Sequence, residues 1–212
     1  MIIDAYIPAE YLERDLLKKF IPDIKKEFSH SKEIPSDFEI PFYIAIAQFP
    51  ELQQTTITMK AKSFDLTLQA QPASNFLFST KKSREYKIFV NDDANTAHGV
   101  LFQHLPFDAQ VGIMAHELSH IADYTKKTTW EMVIFILSFL GIKFRERMER
   151  LTDQEVIARG FGWQLYEWAD FAMYKSSSPR RHKYYKLGYY LSPENIIEEI
   201  RSYPELYKSF EK

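Results

Sequence analysis

The sequence predicts an α+β fold organised as a single domain over residues 1–212, and three observations carry that expectation. The chain has 212 residues, enough for one sizeable core and too few for two independent ones. It is 45% apolar and 26% charged, the balance of a soluble globular protein. Its hydrophobic pattern starts with a helical period, changes to alternation between about residues 55 and 91, and returns to a helical period from about 107. Residues 1–106 are thus expected to hold N-terminal helices and a small sheet, and 107–212 the remaining helices.

Taken in order, Pro8 opens a segment in which Tyr11, Leu12, Leu16, Leu17 and Phe20 recur at helical spacing, and Pro22 is expected to end it. FYIAIAQF, between Pro41 and Pro50, is a second helical segment. TTITMKAKS and FDLTLQAQ alternate apolar with polar residues, and EYKIFV is a third run of the same kind; these are the expected strands. Beyond Pro106, Asp108 is placed as the N-cap of a helix reaching Tyr124. Helices are expected over 129–147 and 149–173, then a last one at SPEN, with Ser192 as its cap and Pro193 in its first turn. KSSSPRRHK, between them, reads as a loop.

Composition removes several classes of function. Lys and Arg number 27 against 29 Asp and Glu, which gives no electrostatic case for nucleic acid, and the basic pair in SPRRHK does not change that. There is no cysteine, so any metal must be held by His, Asp or Glu. The start, MIIDAYIPAEYLERD, has neither a basic n-region nor a long apolar stretch, so no secretory signal is expected and the cytoplasm is the default location. The most apolar run is MVIFILSFLGI (132–142), flanked by Glu131 and Lys143. A membrane span needs about 20 such residues, so no transmembrane segment is expected. The run is expected to be a helix buried on most sides, with a peripheral membrane or partner contact as the alternative.

The stretch that carries chemistry is VGIMAHELSHIADY (111–124). On a helix, His116 and His120 lie on one face a turn apart and can grip one ion, while Glu117, rotated about 100° from His116, flanks it. That is the arrangement of a zinc hydrolase, in which the metal activates a water and the neighbouring Glu takes its proton. Val111, Ala115, Leu118 and Ala122 form an apolar stripe on the other side, which lets the helix be buried with its histidines facing a cleft. A chance H-E-x-x-H is expected on the order of once per hundred such chains.

The third ligand must come from elsewhere. Asp123 and Lys126 stand where an elongated three-histidine motif would need Gly and His. Downstream, RMERLTDQEVIARGFGWQLYEW offers Glu149 and Asp153, again four apart. Glu149 is placed on the metal, and Asp153 as acceptor of a ligand histidine's free ring N–H. Glu146, Glu155 and His182 are its rivals, and Asp153 itself is another.

His116-Glu117-x-x-His120 followed by Glu149-x-x-x-Asp153 resembles the gluzincin pattern, that of zinc metallopeptidases whose third ligand is a Glu on a later helix. ERLTD is similar to the E-x-x-A-D signature of the heat-shock and CAAX-prenyl endopeptidase group, with Thr152 in place of the usual Ala. The longer RLTDQEVIARGFGWQLYEW looks like a group of small bacterial zincin-like proteins. The resemblance covers residues 111–153. It implies a zincin-like fold, with an active-site helix beside a small antiparallel or mixed sheet. It also implies one Zn²⁺ on His116, His120 and Glu149, with Glu117 as base and Asp153 behind a histidine.

A zinc-dependent metallopeptidase acting on a peptide or protein is therefore the expected function, with a non-catalytic zinc-binding protein as its alternative. By analogy with zincins, EYKIFV is the candidate sheet edge for substrate. RRHKYYKLGYYLSP offers His182, Tyr184, Tyr185, Tyr189 and Tyr190 for oxyanion stabilisation, with none singled out. His30, His98 and His104 lack spaced partners, and Asp92 and Asp93 read as a strand-ending turn.

Overall fold

Proline punctuates the first half of the chain from inside helical first turns. The computed structural model describes residues 11–28, 31–93, 95, 100–179, 183 and 188–207, so the expected helix start at Pro8 lies outside the described residues. Arg14–Lys18 forms a short helix, α1, and Ile21–Phe28 a second, α2. Pro22 therefore opens α2 instead of ending a longer helix. A first-turn amide has no intrahelical acceptor, so a proline there forfeits no bond. Pro41 sits likewise in the first turn of α3 (Glu39–Ile46), in which Phe42, Ile44, Ala45 and Ile46 are wholly buried.

The three expected strands are present as β2 (Thr56–Ala61), β3 (Leu68–Pro72) and β4 (Glu85–Val90); a two-residue β1 (Lys32–Glu33) precedes them. Their order is β1-β2-β4-β3, with β1/β2 and β2/β4 parallel and β3/β4 antiparallel. The class is α+β and the sheet is mixed. EYKIFV, expected at an edge, is internal, paired to β2 on one side and β3 on the other. Two parallel strands cannot be joined by a tight turn, and β3 lies within the β2-to-β4 crossover and takes the outer place.

The edge on the β4 side is therefore β3. The Asn91 N–H donates to the Thr67 carbonyl (3.0 Å) and the Ala73 N–H to the Glu85 carbonyl (2.8 Å), which fixes the phase of the antiparallel ladder. The backbone groups of Leu68, Ala70 and Pro72 consequently point away from β4. Pro72, with no N–H to offer, is tolerated at such an edge.

Helix α4 (Phe107–Lys126) packs against β3, α3 and α7 (Gly162–Asp170), and its expected stripe of Val111, Ala115, Leu118 and Ala122 is buried. Asp108 does not cap it; the residue lies inside the first turn, where its Oδ1 accepts from the Leu12 N–H (3.0 Å) and Gln164 Nε2 (2.9 Å). At Gly112 the helices α4 and α7 touch so closely that a Cβ would stand 2.2 Å from the Gln164 carbonyl oxygen.

Helix α5 (Thr129–Ser138) is fixed at its start by a reciprocal pair. Thr128 Oγ1 accepts from the Glu131 N–H, and Glu131 Oε2 accepts from the Thr128 N–H. The expected break near residue 148 falls at Gly141, which precedes α6 (Ile142–Val156). A wider helical turn, Ile157–Phe161, then leads into α7, with Gly160 at φ 92° supplying the left-handed residue that redirects the chain. The last helix, α8 (Pro193–Ile200), has Ser192 as its cap, as expected, its Oγ accepting from the Asn195 N–H.

The apolar run 132–142 is not buried on most sides. Met132 and Phe135 enter the core, whereas Ile134 (61%), Leu137 (61%), Leu140 (80%) and Ile142 (69%) face solvent. Among the described residues, one face of α5 packs against the core and the other is exposed. Among the described residues no helix is long and apolar enough to cross a membrane.

Candidate metal centre

Three elements build the site. Helix α4 presents His116 and His120 from one face, α6 presents Glu149 and Asp153 from one of its own, and the edge of β3 approaches Glu117. All five side chains are buried. Glu149 Oε2 stands 3.1 Å from His116 Nε2 and 3.2 Å from His120 Nε2, and the two ring nitrogens are 3.1 Å apart. Tetrahedral zinc with bonds of about 2.0–2.1 Å spaces its ligand atoms about 3.3–3.4 Å apart. The triangle is within a few tenths of an ångström of that spacing, and the three residues could hold a metal ion.

The far sides of both rings are occupied. His116 Nδ1 donates to Asp153 Oδ1 at 2.8 Å, while Asp153 Oδ2 accepts from the Leu191 N–H, also at 2.8 Å. His120 Nδ1 faces Thr152 Oγ1 at 3.4 Å, and that hydroxyl gives its own proton to the Met148 carbonyl (2.9 Å), leaving its oxygen to accept. With both Nδ1 atoms carrying the ring proton, both Nε2 atoms and Glu149 Oε2 are lone-pair acceptors aimed at one point. Three buried acceptors without a donor between them repel one another. A cation or a proton at the centre resolves that conflict.

The titration behaviour has the same cause. Burial alone would push the His116 ring towards its neutral form, but the bonds to Asp153 and Glu149 and their charges win, and its pKa lies well above the ordinary histidine value. Burial likewise opposes ionisation of Glu149, yet the charge of His120 and the bonds to both rings hold its carboxyl far below the usual range. Glu117 Oε2 accepts the Ala70 N–H at 2.5 Å. Burial raises its carboxyl above the ordinary value, partly offset by His120 and His116.

A cavity of about 400 Å³ opens on this cluster, lined by Glu117, His120 and Glu149 together with Phe76, Phe135 and Phe139. No family model, curated protein or solved structure matches the chain. The case for the site therefore stands on its own geometry.

The rivals for the third ligand lie elsewhere. Glu146 pairs with Arg150 on the outer side of α6 (3.3 Å), and Glu155 pairs with Arg159 (2.8 Å). His182, Tyr184 and Tyr185 lie outside the described residues, as do His30 and His98; His104 is exposed. Tyr190 lines the cavity with its ring 5.5 Å from that of His116, while Tyr189 is buried beneath Arg145. Asp93 belongs to a turn, its Oδ2 accepting from Ser63 Oγ (2.9 Å) and its N–H donating to Asn91 Oδ1.

Sequence reasoning missed three contributors. Thr152, three residues after Glu149, shares its helix face, and that spacing was the available signal. Tyr124, four residues after His120, stacks on its ring at 5.9 Å and 19°. The contact of Ala70 with Glu117 had no local signal, since the two are brought together by the sheet.

Proposed function

We propose that this chain is a zinc-dependent metallopeptidase of zincin-like fold, which hydrolyses peptide bonds with Glu117 as its general base. The observation that carries this reading is the convergence of His116 Nε2, His120 Nε2 and Glu149 Oε2 at one end of an open cavity, with the Glu117 carboxylate alongside. The gluzincin resemblance assigns the same residues the same roles.

Bound zinc supplies Lewis acidity, making water nucleophilic at neutral pH and polarising the scissile carbonyl. Glu117 takes the proton of the attacking water and passes it to the leaving amine. The Ala70 N–H holds one carboxylate oxygen of Glu117, which leaves the other to face the water. Asp153 and Thr152 hold the two rings in the tautomer whose lone pairs point inwards. A peptide laid along β3 meets mainly acceptors, because Pro72 has no N–H and the Ala70 N–H is taken by Glu117. The substrate backbone therefore donates to the carbonyls of Leu68 and Ala70.

Glu117→Gln tests this directly, since the amide oxygen can still accept from Ala70 while the base is lost. The expected result is full zinc content with hydrolysis of a cleavable peptide reduced at least about a hundredfold. Unchanged turnover would refute the role of Glu117. Zinc-loaded wild type that turns over no peptide would leave the metal as a structural element.

A further inference from the structure

Two separate elements that line the cavity also expose large apolar side chains to solvent. From α5, Trp130 (77% exposed), Ile134 and Leu137 project at positions i, i+4 and i+7, one stripe of the helix, and Leu140 and Ile142 extend it around the α5–α6 turn. Opposite them, the turn at 76–78 exposes Leu77 and Phe78 (93%), while its Phe76 points into the cavity. The two elements adjoin, because Thr129 Oγ1 reaches the Ser79 carbonyl at 3.5 Å. The opposite face of α5 lines the cavity through Met132, Phe135 and Ile136, so one helix presents apolar side chains both to solvent and to the cavity that holds Glu117, His120 and Glu149.

The rim is basic. Lys81 and Lys82 follow the Phe78 turn, Lys126 and Lys127 precede α5, and Lys143 and Arg147 follow the turn into α6. Lys81 and Lys127 both act electrostatically on Glu131 at the start of α5, which places the first two of these three pairs beside the patch. The acids along the same stretches are three, and each is engaged: Asp123 is paired with Lys127, Glu131 is occupied in its helix cap, and Glu146 is paired with Arg150. The chain as a whole carries a formal charge of −2, so this basic rim is a local feature.

We propose that this face docks the protein on an anionic lipid surface, with Trp130, Leu137, Leu140 and Phe78 in the headgroup–acyl boundary and the cavity mouth turned towards the bilayer. An exposed tryptophan, a stripe of aliphatics and a ring of lysines are the composition of an interfacial anchor, and no span is needed. A second copy of this chain fits less well, because face-to-face pairing would bring two basic rims together. An anionic surface complements them.

The test is co-sedimentation of the full chain with vesicles of phosphatidylcholine, with and without phosphatidylglycerol, alongside its size-exclusion profile. Wild type is expected to bind the anionic vesicles and to bind the neutral ones at least about fivefold more weakly. Trp130→Ser with Leu137→Ser is expected to lower the binding at least about tenfold. Lys81→Glu with Lys143→Glu is expected to weaken the anionic preference and leave folding intact, since both sites are exposed. Wild type left in the supernatant with anionic vesicles would overturn the proposal. So would a dimer that Trp130→Ser with Leu137→Ser dissolves, or vesicle binding unchanged by both variants. Turnover is not part of the readout, so this inference stands or fails apart from the metallopeptidase reading.

Discussion

Thr152 and Asp153 do one job for two different rings, and single-residue changes should separate them. Asp153 uses both carboxylate oxygens, one for His116 Nδ1 and one for the Leu191 N–H. Asp153→Asn leaves one acceptor oxygen for two donors, and zinc affinity should fall about 10–100-fold by competition with a chromogenic chelator. Thr152→Ala removes the acceptor at His120 Nδ1, with an expected loss of about tenfold that Thr152→Ser should restore. The titration of His116 adds a pH dependence whose sign is determined. Its pKa is raised in the folded metal-free protein, so a proton occupies the position that zinc must take. Zinc affinity should fall as pH falls through the range below that pKa, by about tenfold per unit for one displaced proton. Isothermal titrations in buffers of different ionisation enthalpy should show proton release on binding; a flat dependence would contradict the ring assignment.

At the scale of elements, the site depends on how α4 is wedged between β3 and α7. Gly112 permits the close crossing, and Gly112→Ala would press a methyl against a backbone carbonyl that cannot rotate away. The expected loss is at least about 2 kcal/mol of stability, read as a lowered midpoint in urea, against little change for a partly exposed control such as Glu146→Ala, which loses one surface ion pair. Those parts of the site that lie along one helix were legible in the sequence. His116 with His120, and Glu149 with Asp153, are neighbours because the α-helix repeats every 3.6 residues, and that relation needs no tertiary information. The α+β class and the three main strands were legible for the same kind of reason, through period. Strand order was not. Alternation marks EYKIFV as a strand but is silent on whether it lies inside the sheet or at its edge, which is settled by long-range pairing. Pro22 and Pro41 were ambiguous because proline is equally at home just after one helix and just inside the next. The exposure of α5 was hidden because an apolar run looks the same whether a second layer covers it or not.

For the whole molecule, the candidate ligands lie on helices separated in the chain by α5, so a bound ion would tie α4 to α6. An ion that binds only the folded chain should raise its stability by about 4 kcal/mol at a free concentration a thousandfold above Kd. Thermal unfolding should therefore shift upwards with zinc in the wild type and not in Glu149→Ala. The most direct measurement is metal content by elemental analysis of purified wild type, Glu149→Ala and Glu146→Ala. The proposed zinc site predicts one equivalent of zinc in the wild type, its loss in Glu149→Ala and its retention in Glu146→Ala. Zinc fully retained in Glu149→Ala, or a wild-type protein that takes up none, would contradict it.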